Sequence, residues 1–242
     1  MKIKKYLIAT AVAALFLFGC SSKDDDEAKI VCFGNSLTEG YGAGTGDPPI
    51  DKNKSYPYYL SEKVNVPVIN LGVNGETTAQ AVKRVGKVLS HNPAVVFIEF
   101  GANDLFHQVI GSWFDIDIDP DFVNKAKKNF ETILDQLADG DRQIYMIKFY
   151  NEDVAREMIT ENLGKEYMYI YDDYETMFSS LVSKYKKVSL IENMWDGIWG
   201  NDELMFEDDL YEIHPNAEGY KIMANNIFSE AKEYLISMGF VK

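Results

Sequence analysis

The sequence predicts an α/β fold in which a parallel β-sheet of five strands lies between layers of helices. Five short apolar runs lack strict alternation, which is typical of strands that are buried on both faces. The segments between these runs carry apolar residues at helical spacing. Such alternation of strands and helices indicates a parallel sheet with helices on both faces. We find neither an internal repeat nor a second domain boundary, and the length suits one domain with a sizeable core.

The apolar runs give the strands in chain order. The first run ends in a glycine and contains Cys32, which we expect to be a core residue. The last run is the weakest of the five. The predicted strands are residues 29–33, 66–71, 94–100, 143–149 and 188–191.

Helical periodicity follows most of these runs. After Thr77 and Thr78, one helical face carries Ala81, Val82, Val85 and Leu89. Asp139-Gly140 ends a longer helix, which begins near residue 122. The apolar residues of the other helices are Met177, Leu181 and Tyr185, and then, within residues 217–238, Ile222, Met223, Ile227 and Leu235.

Residues 1–19 form a predicted export signal, with three lysines before an apolar run at residues 6–18. This run is too short to span a bilayer as a helix, which needs about 20 residues. Residues 17–20, Leu-Phe-Gly-Cys, resemble the lipobox of bacterial lipoproteins, in which the cysteine carries the lipid. The resemblance implies that Cys20 is lipidated and that the protein is anchored in the cell envelope, at the outer membrane. The acidic run after Cys20 resembles the surface-export signal of Bacteroidetes lipoproteins.

Charge and cysteine content limit the partners further. We expect residues 20–28 to be an acidic tether and residues 29–242 to be the folded domain. The net charge of −14 repels phosphate backbones, so no nucleic-acid partner is expected. If Cys20 carries lipid, Cys32 has no partner for an intrachain disulfide.

Four polar segments fall where an open parallel sheet collects its functional residues, at the carboxyl ends of strands. Residues 33–40 follow the first strand, residues 70–78 the second, and residues 101–104 the third. His214-Pro215 comes near the end of the chain. Each segment alone would be an ordinary loop or helix cap, but together they supply every part of an acyl-transfer site.

The residue types in these segments match the needs of that chemistry. Ser36 places a hydroxyl on a tight turn, and His214 is a base that could take its proton. A tetrahedral oxyanion needs preorganised donors. The N–H of Gly72, the side-chain amide of Asn103 and the N–H of Ser36 are the candidates.

These four blocks, in this order, resemble the SGNH/GDSL hydrolase superfamily, whose fold is a flavodoxin-like three-layer α/β/α sandwich. The resemblance implies that Ser36 is the nucleophile, that Gly72 and Asn103 hold the oxyanion, and that His214 is the general base. Residues 55–57 and 70–78 look most like the thioesterase, lysophospholipase and arylesterase branch. The implied activity is that of a serine esterase that needs neither metal nor organic cofactor.

The motifs leave the substrate class open. A short acyl ester, a lysophospholipid and an acetyl group on a glycan are all compatible with the motif, so a glycan O-acetylesterase is an alternative. A non-catalytic surface-binding lipoprotein with an impaired triad is another alternative. The sequence does not predict an oligomeric state.

Two residues depart from the family pattern. Asn35 replaces the usual aspartate before the serine, and Tyr211 stands where the triad acid is expected, three residues before His214. Asp209 would serve as the acid if residues 210–211 were an insertion. Glu212 could serve instead, since residues two apart share a face in extended chain. Otherwise a backbone carbonyl orients His214, or the site is inactive.

Two further segments contain residue types that are found in binding sites. The acidic residues 115–121 suggest a calcium loop, but proline and alanine stand where an EF-hand needs glycine and glutamate. We expect a solvated loop that caps the following helix. Residues 194–200, which include Trp195 and Trp199, could either pack in the core or line an acyl pocket.

Overall fold

The computed structural model describes residues 27–150, 152–207 and 213–242. Five parallel strands form one sheet in the order β2-β1-β3-β4-β5. The α/β fold with a five-stranded parallel sheet is therefore confirmed. The strands are β1 (Ile30–Gly34), β2 (Val68–Asn70), β3 (Val95–Glu99), β4 (Gln143–Ile147) and β5 (Val188–Ile191).

Burial explains why the strand sequences lack alternation. Every residue of β1 and β3 is buried, because both faces of these neighbouring strands are covered. Cys32 is buried in β1, as predicted. The carboxyl ends of these two strands lie side by side, with Gly34 in register with Glu99. The segments that follow them are thereby brought together.

Two groups of helices cover the sheet: α2 packs against α9, and α6 packs against α3, α4, α5 and α8. Within the three described ranges, no helix combines the length and apolar character needed to cross a membrane. The helices are α1 (Ser36–Glu39), α2 (Tyr56–Ser61), α3 (Thr78–Val82), α4 (Val85–Leu89), α5 (Ala102–Ser112), α6 (Phe122–Leu137), α7 (Glu152–Asn162), α8 (Tyr169–Lys184) and α9 (Ala217–Ser237).

The single helix predicted after Thr78 is wrong, because the structure divides it into α3 and α4 at residues 83–84. The apolar face is kept across the break, since Ala81 and Val85 are both buried. At the break, the Arg84 guanidinium donates to the Leu71 carbonyl oxygen and pairs with Glu76. These long-range contacts lie outside what helical periodicity can predict.

Candidate active site

Ser36 and His214 are neighbours in the fold although 178 positions separate them in the chain. Ser36 begins α1, directly after β1, and His214 lies on the loop before α9. His214 Nε2 is 2.8 Å from Ser36 Oγ, a hydrogen-bond distance. Both side chains are largely buried, with 6% and 8% of their surface exposed. This pair can transfer a proton between hydroxyl and imidazole.

Asn35 caps the short helix that carries the serine. Its Oδ1 accepts hydrogen bonds from Leu37 N at 3.2 Å and from Ser36 Oγ at 3.4 Å. An aspartate would offer the same acceptor, so the replacement noted in the sequence preserves the cap. Ser36 thus has two acceptors for one hydroxyl hydrogen, and His214 Nε2 is the nearer.

His214 is held by backbone contacts and by a ring. Its carbonyl oxygen accepts from Phe206 N at 2.9 Å, and Asn216 caps α9 just behind it. The Tyr41 ring lies against the imidazole, with 4.6 Å between the centroids. The candidate acids Asp209 and Glu212 lie outside the described residues, as do Tyr211 and Cys20. The acid of the triad therefore stays a prediction.

Gly72 lies directly beside the nucleophile helix. A Cβ at this position would be 2.2 Å from the Glu39 backbone nitrogen, so no larger residue fits without displacement. Gly72 N donates to Asn70 Oδ1 at 2.9 Å, while Asn70 Nδ2 donates to the Thr38 carbonyl oxygen at 2.7 Å. Asn70 therefore ties the Gly72 segment to α1, a role that the sequence analysis missed.

Asn103 is the second residue of α5, which follows β3. Its Nδ2 donates to the Glu76 carbonyl oxygen at 2.9 Å. An amide nitrogen carries two hydrogens, so this bond leaves one hydrogen to donate. The next residue, Asp104, accepts from both Thr78 N and Thr78 Oγ1, which fixes α3 to α5. Burial raises the pKa of Asp104, and the Thr78 hydrogen bonds oppose that rise.

Glu99, which sequence reasoning missed, is a completely buried carboxyl group at the end of β3. Its Oε2 accepts from Asn35 N and from Thr38 Oγ1, each at 3.3 Å. Burial raises its pKa from 4.5 to about 8, against the hydrogen bonds from Asn35 and Thr38. A lone charged residue in the apolar run 94–100 was the available signal.

A cavity of about 890 Å³ adjoins the loop that carries His214. The cavity lining includes three residues of the loop region around His214, namely Phe206, Ile213 and Asn216. Trp199 lines the cavity, whereas Trp195 is buried and donates to the Phe149 carbonyl oxygen. The aromatic segment 194–200 therefore serves both the core and the cavity wall.

Metal ligands do not converge in the part of the chain that the structure describes. No group of three or more His, Cys, Asp or Glu side chains there could hold a metal ion. In the acidic loop 115–121, Asp119 pairs with Lys125, and Asp121 N donates to Asp119 Oδ1. The free thiol of Cys32 is buried, and burial raises its pKa.

The parallel sheet with a serine–histidine pair at its carboxyl edge defines a hydrolase of the SGNH type. The chain matches the model of the GDSL-like lipase/acylhydrolase family over residues 32–222, and it belongs to that family.

Solved structures with the same fold include several esterases. The psychrotrophic esterase EstA from Pseudoalteromonas sp. is 19% identical, with a TM-score of 0.62 over 86% of this chain and 99% of that chain. A lipase/acylhydrolase from Enterococcus faecalis is 23% identical, with a TM-score of 0.59 over 86% and 96%. The SGNH-hydrolase family esterase AlinE4 is 24% identical, with a TM-score of 0.56 over 88% and 97%.

A curated relative is the uncharacterized lipoprotein YqeF of Bacillus subtilis (strain 168). The two sequences are 30% identical over 101 residues. The match covers 41% of this chain and 41% of that protein, which is less than half of either.

Proposed function

We propose that the protein is a serine esterase that cleaves carboxylic ester or thioester bonds through an acyl-Ser36 intermediate. The distance of 2.8 Å between His214 Nε2 and Ser36 Oγ carries this proposal, because it joins a nucleophile to its base. Membership of the acylhydrolase family supports the same reaction class.

In the first half of the reaction, Ser36 Oγ attacks the acyl carbonyl carbon while its proton passes to His214 Nε2. The oxyanion that forms is held by the N–H groups of Ser36 and Gly72 and by Asn103 Nδ2. Gly72 N–H now donates to Asn70 Oδ1, so it must share or exchange this acceptor when the oxyanion forms.

The second half clears the acyl group from the serine. It begins once His214 has given its proton to the leaving group, which departs as an alcohol or thiol at the end of the first half. The imidazole then deprotonates a water molecule that attacks the acyl carbon, and Ser36 is regenerated. Asp209 is our first choice for the carboxylate that orients His214, with Glu212 as the alternative.

The cavity beside the His214 loop supports an apolar group on the substrate. Trp199, Phe106 and Val109 line it, and a volume of about 890 Å³ exceeds the needs of an acetyl group. A medium acyl chain or the apolar part of a lysophospholipid would fit this lining.

Lipidation of Cys20 would place the enzyme on a membrane of the cell envelope, next to such substrates. An acetylated glycan stays the second candidate.

Hydrolysis of p-nitrophenyl acetate and p-nitrophenyl octanoate by residues 21–242 tests the proposal. Ser36→Ala should abolish turnover, whereas Ser90→Ala, at an exposed serine after α4, should leave it unchanged. Of Asp209→Asn and Glu212→Gln, the variant with the larger loss identifies the partner of His214. If the wild type were no faster than Ser36→Ala on either ester, the binding-protein alternative would gain support.

A further inference from the structure

A buried carboxyl group lies beneath the nucleophile turn, and the mechanism above does not use it. Glu99 Oε2 accepts from Asn35 N and from Thr38 Oγ1, each at 3.3 Å. These two donors stand on either side of Ser36 and Leu37 in the chain. One carboxyl oxygen therefore ties both ends of the turn that carries the nucleophile to the end of β3.

The Thr38 hydroxyl has a second neighbour that fixes its direction. Thr38 Oγ1 lies 3.1 Å from the Tyr56 hydroxyl, and both side chains are fully buried. Because the single Thr38 hydroxyl hydrogen is donated to Glu99, the Tyr56 hydroxyl must donate to Thr38. The carboxyl of Glu99 is thus the terminal acceptor of a buried chain that begins at α2.

Two polar atoms at this place are buried and lack a hydrogen bond: Asn35 Nδ2 and Glu99 Oε1. They belong to residues that are already joined through Asn35 N and Glu99 Oε2. Buried polar groups are rarely left unsatisfied. Asn35 Oδ1 accepts from Leu37 N, so the turn itself fixes the orientation of the Asn35 amide.

We propose that Glu99 is a positioning residue for acyl transfer, which holds the turn at residues 35–38 so that Ser36 Oγ stays within reach of His214 Nε2. Glu99 acts through the turn and does not touch the substrate. This inference rests on the proposed function of Ser36. Its physical basis is that attack needs the nucleophile within a fraction of an ångström of its productive place.

Covalent labelling of Ser36 by diethyl p-nitrophenyl phosphate tests this role without ester turnover. Ser36 Oγ forms a bond to phosphorus, p-nitrophenolate leaves, and the serine proton passes to His214. Glu99→Ala should slow labelling by about tenfold to a hundredfold, because the turn loses its acceptor. Glu99→Gln should label close to the wild-type rate, since its amide oxygen still accepts from Asn35 N and Thr38 Oγ1. Tyr150→Phe, which removes a buried hydroxyl in the segment after β4, is the control.

Ester kinetics and a second pair of variants separate positioning from simple loss of stability. Glu99→Ala should lower kcat with KM changed by less than about twofold. If Glu99→Ala does not fold, Thr38→Val removes one of the two bonds, and Thr38→Ser should restore the labelling rate. Wild-type labelling rates in Glu99→Ala or Thr38→Val, even with a lower Tm, would overturn the inference.

The failure of the proposed function would be visible separately. A wild-type protein that is labelled at Ser36 but turns over no ester would contradict the esterase, while the labelling rates would still decide the role of Glu99. A wild-type protein that is not labelled at all would overturn both, because Ser36 would then not be presented as a nucleophile.

Discussion

The backbone of Gly72 lies directly against that of Glu39, so closely that a Cβ on residue 72 would be 2.2 Å from Glu39 N. Glu39 is the last residue of α1, the helix that begins with Ser36. The segment after β2 and the nucleophile helix are therefore in backbone contact.

Gly72→Ala adds only one methyl group, but it should disturb the active site strongly. The added methyl group must displace α1 and with it Ser36, so we expect kcat for p-nitrophenyl acetate to fall by about a hundredfold. Thermal unfolding should show a lower Tm. Gly86→Ala is the matched control: this glycine lies in α4, and its Cβ would meet nothing within 4 Å. That change should leave kcat unaltered and stabilise α4 by about 1 kcal/mol. Full activity in Gly72→Ala would contradict the contact.

The buried Glu99 should make the stability of the protein fall as the pH rises. Burial raises its pKa from 4.5 to about 8 in the folded state, so between these values the folded protein binds the proton more tightly than the unfolded chain. The free energy of unfolding therefore decreases from about pH 4.5 to about pH 8 and is independent of this group above that range. The facing titratable groups, Cys32 and Tyr56, stay neutral there, because burial raises both of their pKa values.

Urea unfolding of the wild type and Glu99→Gln measures this effect. The glutamine cannot titrate, so the stability of Glu99→Gln relative to the wild type should increase between about pH 5 and about pH 8. Other carboxyl groups, such as Asp104, titrate in both proteins and cancel in the difference. A difference that does not change with pH would show that Glu99 has an ordinary pKa.

Trp199 should decide how well long acyl chains bind. It is half-buried, lines the cavity beside the His214 loop and donates its indole N–H to Glu157 Oε2 at 3.1 Å. Trp199→Ala should raise KM for p-nitrophenyl octanoate by about tenfold, from the loss of apolar contact, and leave the acetate kinetics unchanged. Phe114→Ala removes an exposed aromatic ring that does not line the cavity, and it is the control. An equal change in KM for both esters would show that the acyl chain binds outside the cavity lined by Trp199.

The charge of the same cavity should disfavour anionic substrates. Its described lining includes carboxylates from α7 and from residues 202–207, and no Lys or Arg occurs among those lining residues. We expect octanoyl coenzyme A to react more slowly than p-nitrophenyl octanoate, and added salt to speed only the coenzyme A ester. The double variant Glu161→Gln/Glu203→Gln should reduce the difference in rate between the two esters. Glu230→Gln, on the exposed face of α9, should not change that difference. A difference in rate that responds neither to salt nor to the carboxylate substitutions would exclude an electrostatic origin.

Local patterns were sufficient for the architecture. Strands buried on both faces must be apolar throughout, so the runs around Val31, Phe97 and Ile144 were visible in the sequence as strands. The break between α3 and α4 was not visible in the sequence, because the apolar stripe continues across the break. The contacts of Arg84 at the break are made with residues that are distant in the chain. Periodicity describes which face is buried, and it does not describe where the helix axis turns.

For the site, the sequence by itself determined which residue types are present and in which order they follow the strands. It singled out Ser36, Gly72, Asn103 and His214 because parallel strands deliver such segments to one edge. Only the tertiary structure decided the distance of 2.8 Å between Ser36 and His214, the contact of Gly72 with α1, and the place of Glu99 beneath the nucleophile turn. These features depend on how separate elements pack, and packing across the sheet is set by all the residues between them rather than by any local stretch.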